Sequence, residues 1–245
     1  MSPRAVRFRI SRFKQGDRKR HFDSFKVDVE PGATLLDALL LIRRRHDPSL
    51  AVRHSCMHAS CGTCGVRVNG REVLACDTRL AALRRRGSIR VEPLAGQRVV
   101  SDLATDMVDF YARFTAAGMP QLRAAEVGGD GATPEGVRWF GRFENCIECG
   151  LCLSACPISR TNRSFLGPAA LAAAARVVEE PRGAEPGPVL ALAAEPDSVW
   201  RCHDALECSA VCPSAVEPAT ALLELRRNVA LGPLRRLLGR GRQGQ

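Results

Sequence analysis

No stretch of this 245-residue chain stays apolar for long. The longest runs, Leu35 to Ile42 and Ala169 to Val178, fall far short of the roughly 18 residues a membrane span requires. The basic opening, Met1 to Ile10, lacks the apolar core of a secretory signal. The chain is therefore expected to be soluble by itself, with any bilayer contact peripheral or made through a partner. Aromatic residues are scarce, at 5%, and no nucleic-acid-binding motif is present, so base stacking is the weakest reading of the net charge of +10. Lysine occurs only at 14, 19 and 26; arginine carries most of the charge, which gathers at Arg4 to Lys26 and Arg226 to Arg242. A solvated face, acidic headgroups or an acidic partner subunit each fit it. No G-x-G-x-x-G opens a helix after a strand and no phosphate loop follows one, so dinucleotide binding and hydride chemistry are excluded here.

Cysteine is plentiful by contrast. Eleven residues in two unlike arrays point to a reducing compartment, where thiols stay unpaired. Cys56-x4-Cys61-x2-Cys64 with Cys76 downstream has the plant-type spacing for [2Fe–2S]. A zinc ribbon would favour paired C-x2-C knuckles instead. The small residues Ala59, Ser60, Gly62, Thr63 and Gly65 let backbone N–H groups approach sulfur, which raises the potential of a bound cluster. His54 and His58 flank the loop, either as ligands in Rieske fashion or as surface and supporting residues.

Further on, Cys146, Cys149, Cys152 and Cys156, followed by Pro157, form C-x2-C-x2-C-x3-C-P, the run that wraps bacterial [4Fe–4S] clusters. The pattern restarts at Cys202, Cys208, Cys212 and Pro213, but Ala205 stands where its second cysteine belongs. In two-cluster ferredoxins the last cysteine of each run serves the other cluster. Applied here, Cys146, Cys149, Cys152 and Cys212 hold [4Fe–4S], while Cys156, Cys202 and Cys208 hold [3Fe–4S], the corner facing Ala205 having no thiolate. The alternative is a fourth iron held by water or by a neighbour such as Asp204.

Alternation over Val6 to Phe13 and over Phe25 to Val29 predicts half-buried strands. Thr34, with Asp37 three residues on, caps a helix whose apolar face is Leu35, Leu36, Leu39, Leu40 and Ile42. Val66 to Val68 and Glu72 to Ala75 flank an Asn69-Gly70 turn as a hairpin, and Ser88 to Leu94 is a last strand. This order predicts an α+β chain. A β-grasp plant-type ferredoxin domain over 1–98 precedes an all-α, bacterial-ferredoxin-like domain over 99–245. From Val99 the pattern reads as helical, with Leu103, Met107, Phe110, Tyr111 and Phe114 on one face; Gly118 to Gly136 and Pro181 to Pro188 read as loops.

Over nearly its whole length the chain resembles the iron–sulfur subunit of the succinate dehydrogenase/fumarate reductase family. The resemblance rests on Ser55-Cys56 through Cys64, Val68-Asn69-Gly70, Leu74-Ala75-Cys76, Asp102-Leu103 through Asp106-Met107 and Phe110-Tyr111. Cys146-Ile147-Glu148-Cys149-Gly150, Phe165-Leu166-Gly167-Pro168 and Arg201-Cys202-His203 extend it through the second half. It implies a peripheral protein at the cytoplasmic face of the cell membrane. Its clusters would run [2Fe–2S], [4Fe–4S], [3Fe–4S] from a flavoprotein subunit with FAD toward quinone, with heme b, if present, in membrane anchor subunits. Residues matching Pro157, Arg201 and His203 border the quinone pocket, and Arg201 and His203 could donate hydrogen bonds or protons there. A supporting role beside Cys202 is the other reading of His203. Family members that use ubiquinone often carry a tryptophan pair after this proline. Here Ile158 to Asn162 holds no aromatic ring, which favours menaquinone or a pocket built mostly by the anchor. Met57-His58-Ala59 replaces a basic residue and a glycine common at that place, which affects potential more than ligation.

Two other classes stand beside this reading. A relay of the same module serving another dehydrogenase would often fill the gap at Ala205 with cysteine. A basic zinc module would carry zinc without acid-labile sulfide.

Overall fold

The computed structural model describes residues 3–83, 87–118, 143–179 and 186–239, with side chains to 232 apart from that of residue 144. The chain divides into two compact units, one of Met1–Asp109 with Ile147–Ala155 and one of Phe110–Cys146 with Cys156–Gln245.

In the first unit, β1 (Arg4–Arg12) and β2 (His21–Val29) pair antiparallel, with Phe8 opposite Phe25 and Ile10 opposite Asp23. The expected period of two holds: Phe8 and Ile10 are fully buried while Arg7 and Arg9 face out. β3 (Gly65–Val68) and β4 (Arg71–Leu74) form the expected hairpin about Asn69 and Gly70, both at positive φ. β5 (Ile89–Glu92) joins the two pairs, parallel to β1 and antiparallel to β3, in the order β2-β1-β5-β3-β4. Helix α1 (Leu35–Arg45) buries Leu35, Leu36, Leu39 and Ile42. Its capping box is complete, the Asp37 amide donating to the Thr34 hydroxyl and the Thr34 amide to the Asp37 carboxylate. A sheet wrapped on one helix is the β-grasp arrangement.

The helical reading from Val99 is corrected. β6 (Val99–Ser101) and β7 (Ala104–Thr105) come first, as a small antiparallel hairpin, and helix α2 (Val108–Ala116) starts later. The cause is Asp102, at φ +45° in the turn between the two strands. Its fully buried carboxylate accepts from Arg12 Nε at 3.2 Å, the Phe13 amide at 3.0 Å, Lys14 Nζ at 2.6 Å and the Ala51 amide at 2.8 Å. Those bonds hold the turn to β1, where helical backbone could not reach them. Within α2, Phe110 and Phe114 are buried one turn apart, whereas Tyr111, rotated off that face, is exposed.

The expected boundary at 98/99 falls inside the first unit. β6 and β7 belong to it through Asp102, and helix α3 (Leu151–Ala155) belongs to it through Ser154. The buried Ser154 hydroxyl donates to the Glu72 carboxylate on β4 at 2.8 Å and accepts from the Ala95 amide at 2.7 Å.

The described second unit is helical: α4 (Pro157–Thr161), α5 (Pro168–Glu179), α6 (Pro186–Ala194), α7 (Glu207–Ala210) and α8 (Pro218–Gly239), with short 3₁₀ turns at Phe143–Asn145 and Val199–Arg201. Ala169 to Ala175 of α5 are buried on every side, so small side chains let α6 and α8 pack closely against it. Pro186 and Pro188, read as loop, open α6 instead, since first-turn prolines forfeit no intrahelical bond. Pro181 to Glu185 and the stretch beyond Gly118 to Gly136 lie outside the described residues. Among the described residues no helix is long and apolar enough to cross a membrane.

Candidate metal centres

None of the eleven cysteines is in a disulfide. In the first array the loop after Ser55 turns three times through positive φ, at Met57, Ala59 and Gly62, and so aims consecutive amides inward. Cys56 Sγ accepts from the His58, Ser60 and Cys61 amides at 3.5, 3.3 and 3.3 Å. Cys61 Sγ accepts from the Cys56 amide at 3.5 Å, and Cys76 Sγ from the Ala59 amide at 3.2 Å. Cys64 and Cys76, both buried, place their sulfurs 3.3 Å apart, near the roughly 3.8 Å that 2.3 Å tetrahedral metal–thiolate bonds give two ligands of one metal. Converging N–H donors are the surroundings an anionic, sulfur-ligated group requires, so the four residues fit one.

The thiols differ in readiness. The Thr63 hydroxyl and the Cys56 amide pull Cys61 down to about 6, whereas burial pushes Cys64 up to about 12. Metal binding must displace the Cys64 proton. His54 Nε2 is 3.2 Å from Arg43 Nη2, accepting from it, and His58 offers Cys56 its backbone rather than its ring.

Gly62 ties this loop to the next array. A β-carbon there would lie 2.6 Å from the Ile147 carbonyl oxygen and 2.9 Å from Cys149 Cα, distances only glycine permits. Of the second set, Cys149 and Cys152 belong to the first unit, Cys146 and Cys212 to the second.

The third set shares one cavity. Cys156, Cys202 and Cys208 line it with Pro157, Ala205 and His203. Cys156 precedes α4, and Pro157 fixes the first helical φ. Asp204 and Leu206, both left-handed, bend the chain on either side of Ala205. From α8, Arg226 donates to the Cys202 carbonyl at 2.7 Å and the Val199 carbonyl at 3.1 Å and pairs with Asp204 at 3.2 Å. Asp204, the candidate fourth ligand, thus already has a cationic partner. Burial raises both Cys202 and Cys208, the latter to about 12.

Pro157 and His203 line this cavity. Arg201 is not among its lining residues; it is 2.9 Å from Asp197. Arg226 carried no mark in the sequence, being one of many arginines in a basic tail. Leu206 is detectable only as an exposed large apolar side chain.

Residues 7–112 match the family model of a 2Fe-2S iron-sulfur cluster binding domain, and 142–216 that of a 4Fe-4S dicluster domain. The fumarate reductase iron-sulfur subunit of Mycobacterium tuberculosis is 36% identical over 224 residues, 89% of each chain. That of Haemophilus influenzae is 34% identical over 84% of this chain and 85% of its own. The succinate dehydrogenase iron-sulfur subunit of Coxiella burnetii is 34% identical over 89% and 94%. A solved structure, the Mycobacterium smegmatis Sdh1 complex in the apo form, superposes with a TM-score of 0.84 at 25% identity, over 94% of this chain and 97% of the matched one. With both cluster domains matched and these relatives aligned almost end to end, this chain belongs to the family of succinate dehydrogenase and fumarate reductase iron–sulfur subunits.

Proposed function

We propose that this chain relays electrons between the FAD of a flavoprotein subunit and a membrane quinone, through three clusters. Cys56, Cys61, Cys64 and Cys76 hold [2Fe–2S]. Cys146, Cys149, Cys152 and Cys212 hold [4Fe–4S]. Cys156, Cys202 and Cys208 hold [3Fe–4S]. The observation that carries the reading is the cavity where these last three cysteines meet, with Ala205 in place of a fourth thiolate. Bound clusters supply one-electron steps, so the two-electron chemistry of a flavin is delivered singly. The residues of the chain fix the sulfurs, direct amides at them and keep the Cys64 and Cys76 end dry. Membrane anchor subunits, with heme b where they carry it, hold the chain at the cytoplasmic face. The absence of a ring over Ile158 to Asn162 favours menaquinone.

Redox titration of the purified complex by EPR tests this. Three centres are expected, one of them a [3Fe–4S] signal in the oxidised state; zinc without acid-labile sulfide, or only two centres, overturns it.

His203→Ala removes a donor at the cavity but no cluster ligand. All three clusters are expected to assemble, and succinate-dependent reduction of a dye that takes electrons at the flavin should persist. Quinone-dependent turnover should fall about tenfold or more, general acid–base contributions being of order 10²–10⁴ and Arg201 or the anchor compensating in part. Equal loss of both activities would make His203 a structural support, and no loss would place the proton route elsewhere.

A further inference from the structure

We propose that the side-chain amide of Gln97 donates a hydrogen bond to sulfur at the second cluster and raises its potential. The inference rests on the reading that Cys149 and Cys152 hold [4Fe–4S].

Gln97 stands just before β6, and its amide is fixed at one end only. Oε1 accepts from the hydroxyl of buried Thr105 at 2.8 Å. Nε2 is buried and has no hydrogen-bond partner among the described residues. An amide N–H stripped of water and denied an acceptor is a costly state that folded chains rarely keep. The nitrogen is directed at the cysteine loop: a β-carbon on Gly150 would lie 2.9 Å from it. Gly150, at φ +74°, sits between Cys149 and Cys152, and its lack of a side chain makes the room that the amide occupies. Met107 lies near the same position, its Cε 3.1 Å and Sδ 3.7 Å from that β-carbon.

The acceptor this segment gains on loading is sulfur, as cluster sulfide or as the thiolates of Cys149 and Cys152. Sulfur that accepts an N–H bond tolerates the added electron better, so the bond raises the potential. Nothing in the cysteine spacing marks Gln97, which lies 52 positions from Cys149 in sequence.

The test uses the assembled complex. Gln97→Leu keeps the bulk and removes the donor; Gln97→Glu keeps the shape and replaces a donor with an acceptor. Both are expected to lower the midpoint potential of the [4Fe–4S] centre in an EPR titration, Glu by more, with the other two centres unmoved as internal references. Pulsed EPR of wild type carrying side-chain ¹⁵N-glutamine is expected to show a nitrogen coupling to the reduced [4Fe–4S] centre that Gln97→Leu abolishes. An unmoved potential in a loaded Gln97→Leu complex, an equal shift at all three centres, or no coupling in wild type overturns the inference. Should Gln97→Leu fail to retain its cluster, the wild-type coupling decides alone. A wild-type complex without any [4Fe–4S] signal would instead overturn the cluster assignment itself, a different and earlier failure.

Discussion

Asp102→Asn is expected to destabilise the first unit by about 3–5 kcal/mol, the range for removing one partner from a buried charged cluster. The substitution is nearly isosteric, and asparagine accepts the left-handed backbone of residue 102, so neither a cavity nor new strain confounds it. What changes is the chemistry. One carboxylate oxygen accepts from Arg12 and the Phe13 amide, the other from Lys14 and the Ala51 amide. An amide NH₂ in either position sets donor against donors, and Arg12, almost wholly buried, keeps only Asp23, Asp47 and Ser49. Burial would raise the Asp102 carboxyl, but the bonds from Lys14, the two amides and Arg12 outweigh it and hold it below its ordinary value. Asp47, with its Ser49 bond first among the causes, is lowered to about 2. A carboxyl depressed in the folded state contributes stability that is full above its unfolded pKa and lost as pH falls through the folded one. The gap between wild type and Asp102→Asn should therefore be widest above about pH 4 and close as pH falls through the depressed value of Asp102. Urea unfolding followed by far-UV circular dichroism measures it; a gap that does not depend on pH would refute the carboxylate as its source.

Ala205→Cys is expected to convert the third centre. Residue 205 lines the same cavity as Cys156, Cys202 and Cys208, and a thiol there restores the spacing of two residues on each side. The oxidised-state [3Fe–4S] signal should disappear and a [4Fe–4S] signal appear on reduction, at lower potential. Quinone turnover should fall with it, because the last station before quinone becomes harder to reduce. The left-handed residues on both flanks and the Arg226 grip on Cys202 and Val199 already fix the loop, so the new sulfur needs no rearrangement to arrive. A three-iron signal that survives unchanged would refute the assignment of that corner.

The two cluster-binding domains were legible because cysteine ligation is written in local spacing: four and two for one array, two, two and three for the other. The capping box at Thr34 and the hairpin at Asn69-Gly70 are local in the same sense. What escaped was decided by distant partners. Residues 99–107 carry apolar spacing compatible with a helix, yet four donors, from residues as far as 90 positions away, commit Asp102 to a turn. That 147–155 packs with the first unit was not legible either, since nothing in that stretch advertises Glu72 as its destination. Gln97 and Arg226 are ordinary polar residues until the fold sets one beside Gly150 and the other beside Cys202.

The bond between Ser154 and Glu72 also has a clock in it. The two residues are 82 positions apart, and ribosomes add roughly 5–20 residues per second, so Glu72 waits about 4–16 s for its partner to be made. Throughout that interval β4 presents a carboxylate whose burial is not yet possible. The N-terminal ferredoxin domain of this chain therefore cannot finish folding as it leaves the ribosome. Its completion is deferred until the first three cysteines of the following motif have been synthesised.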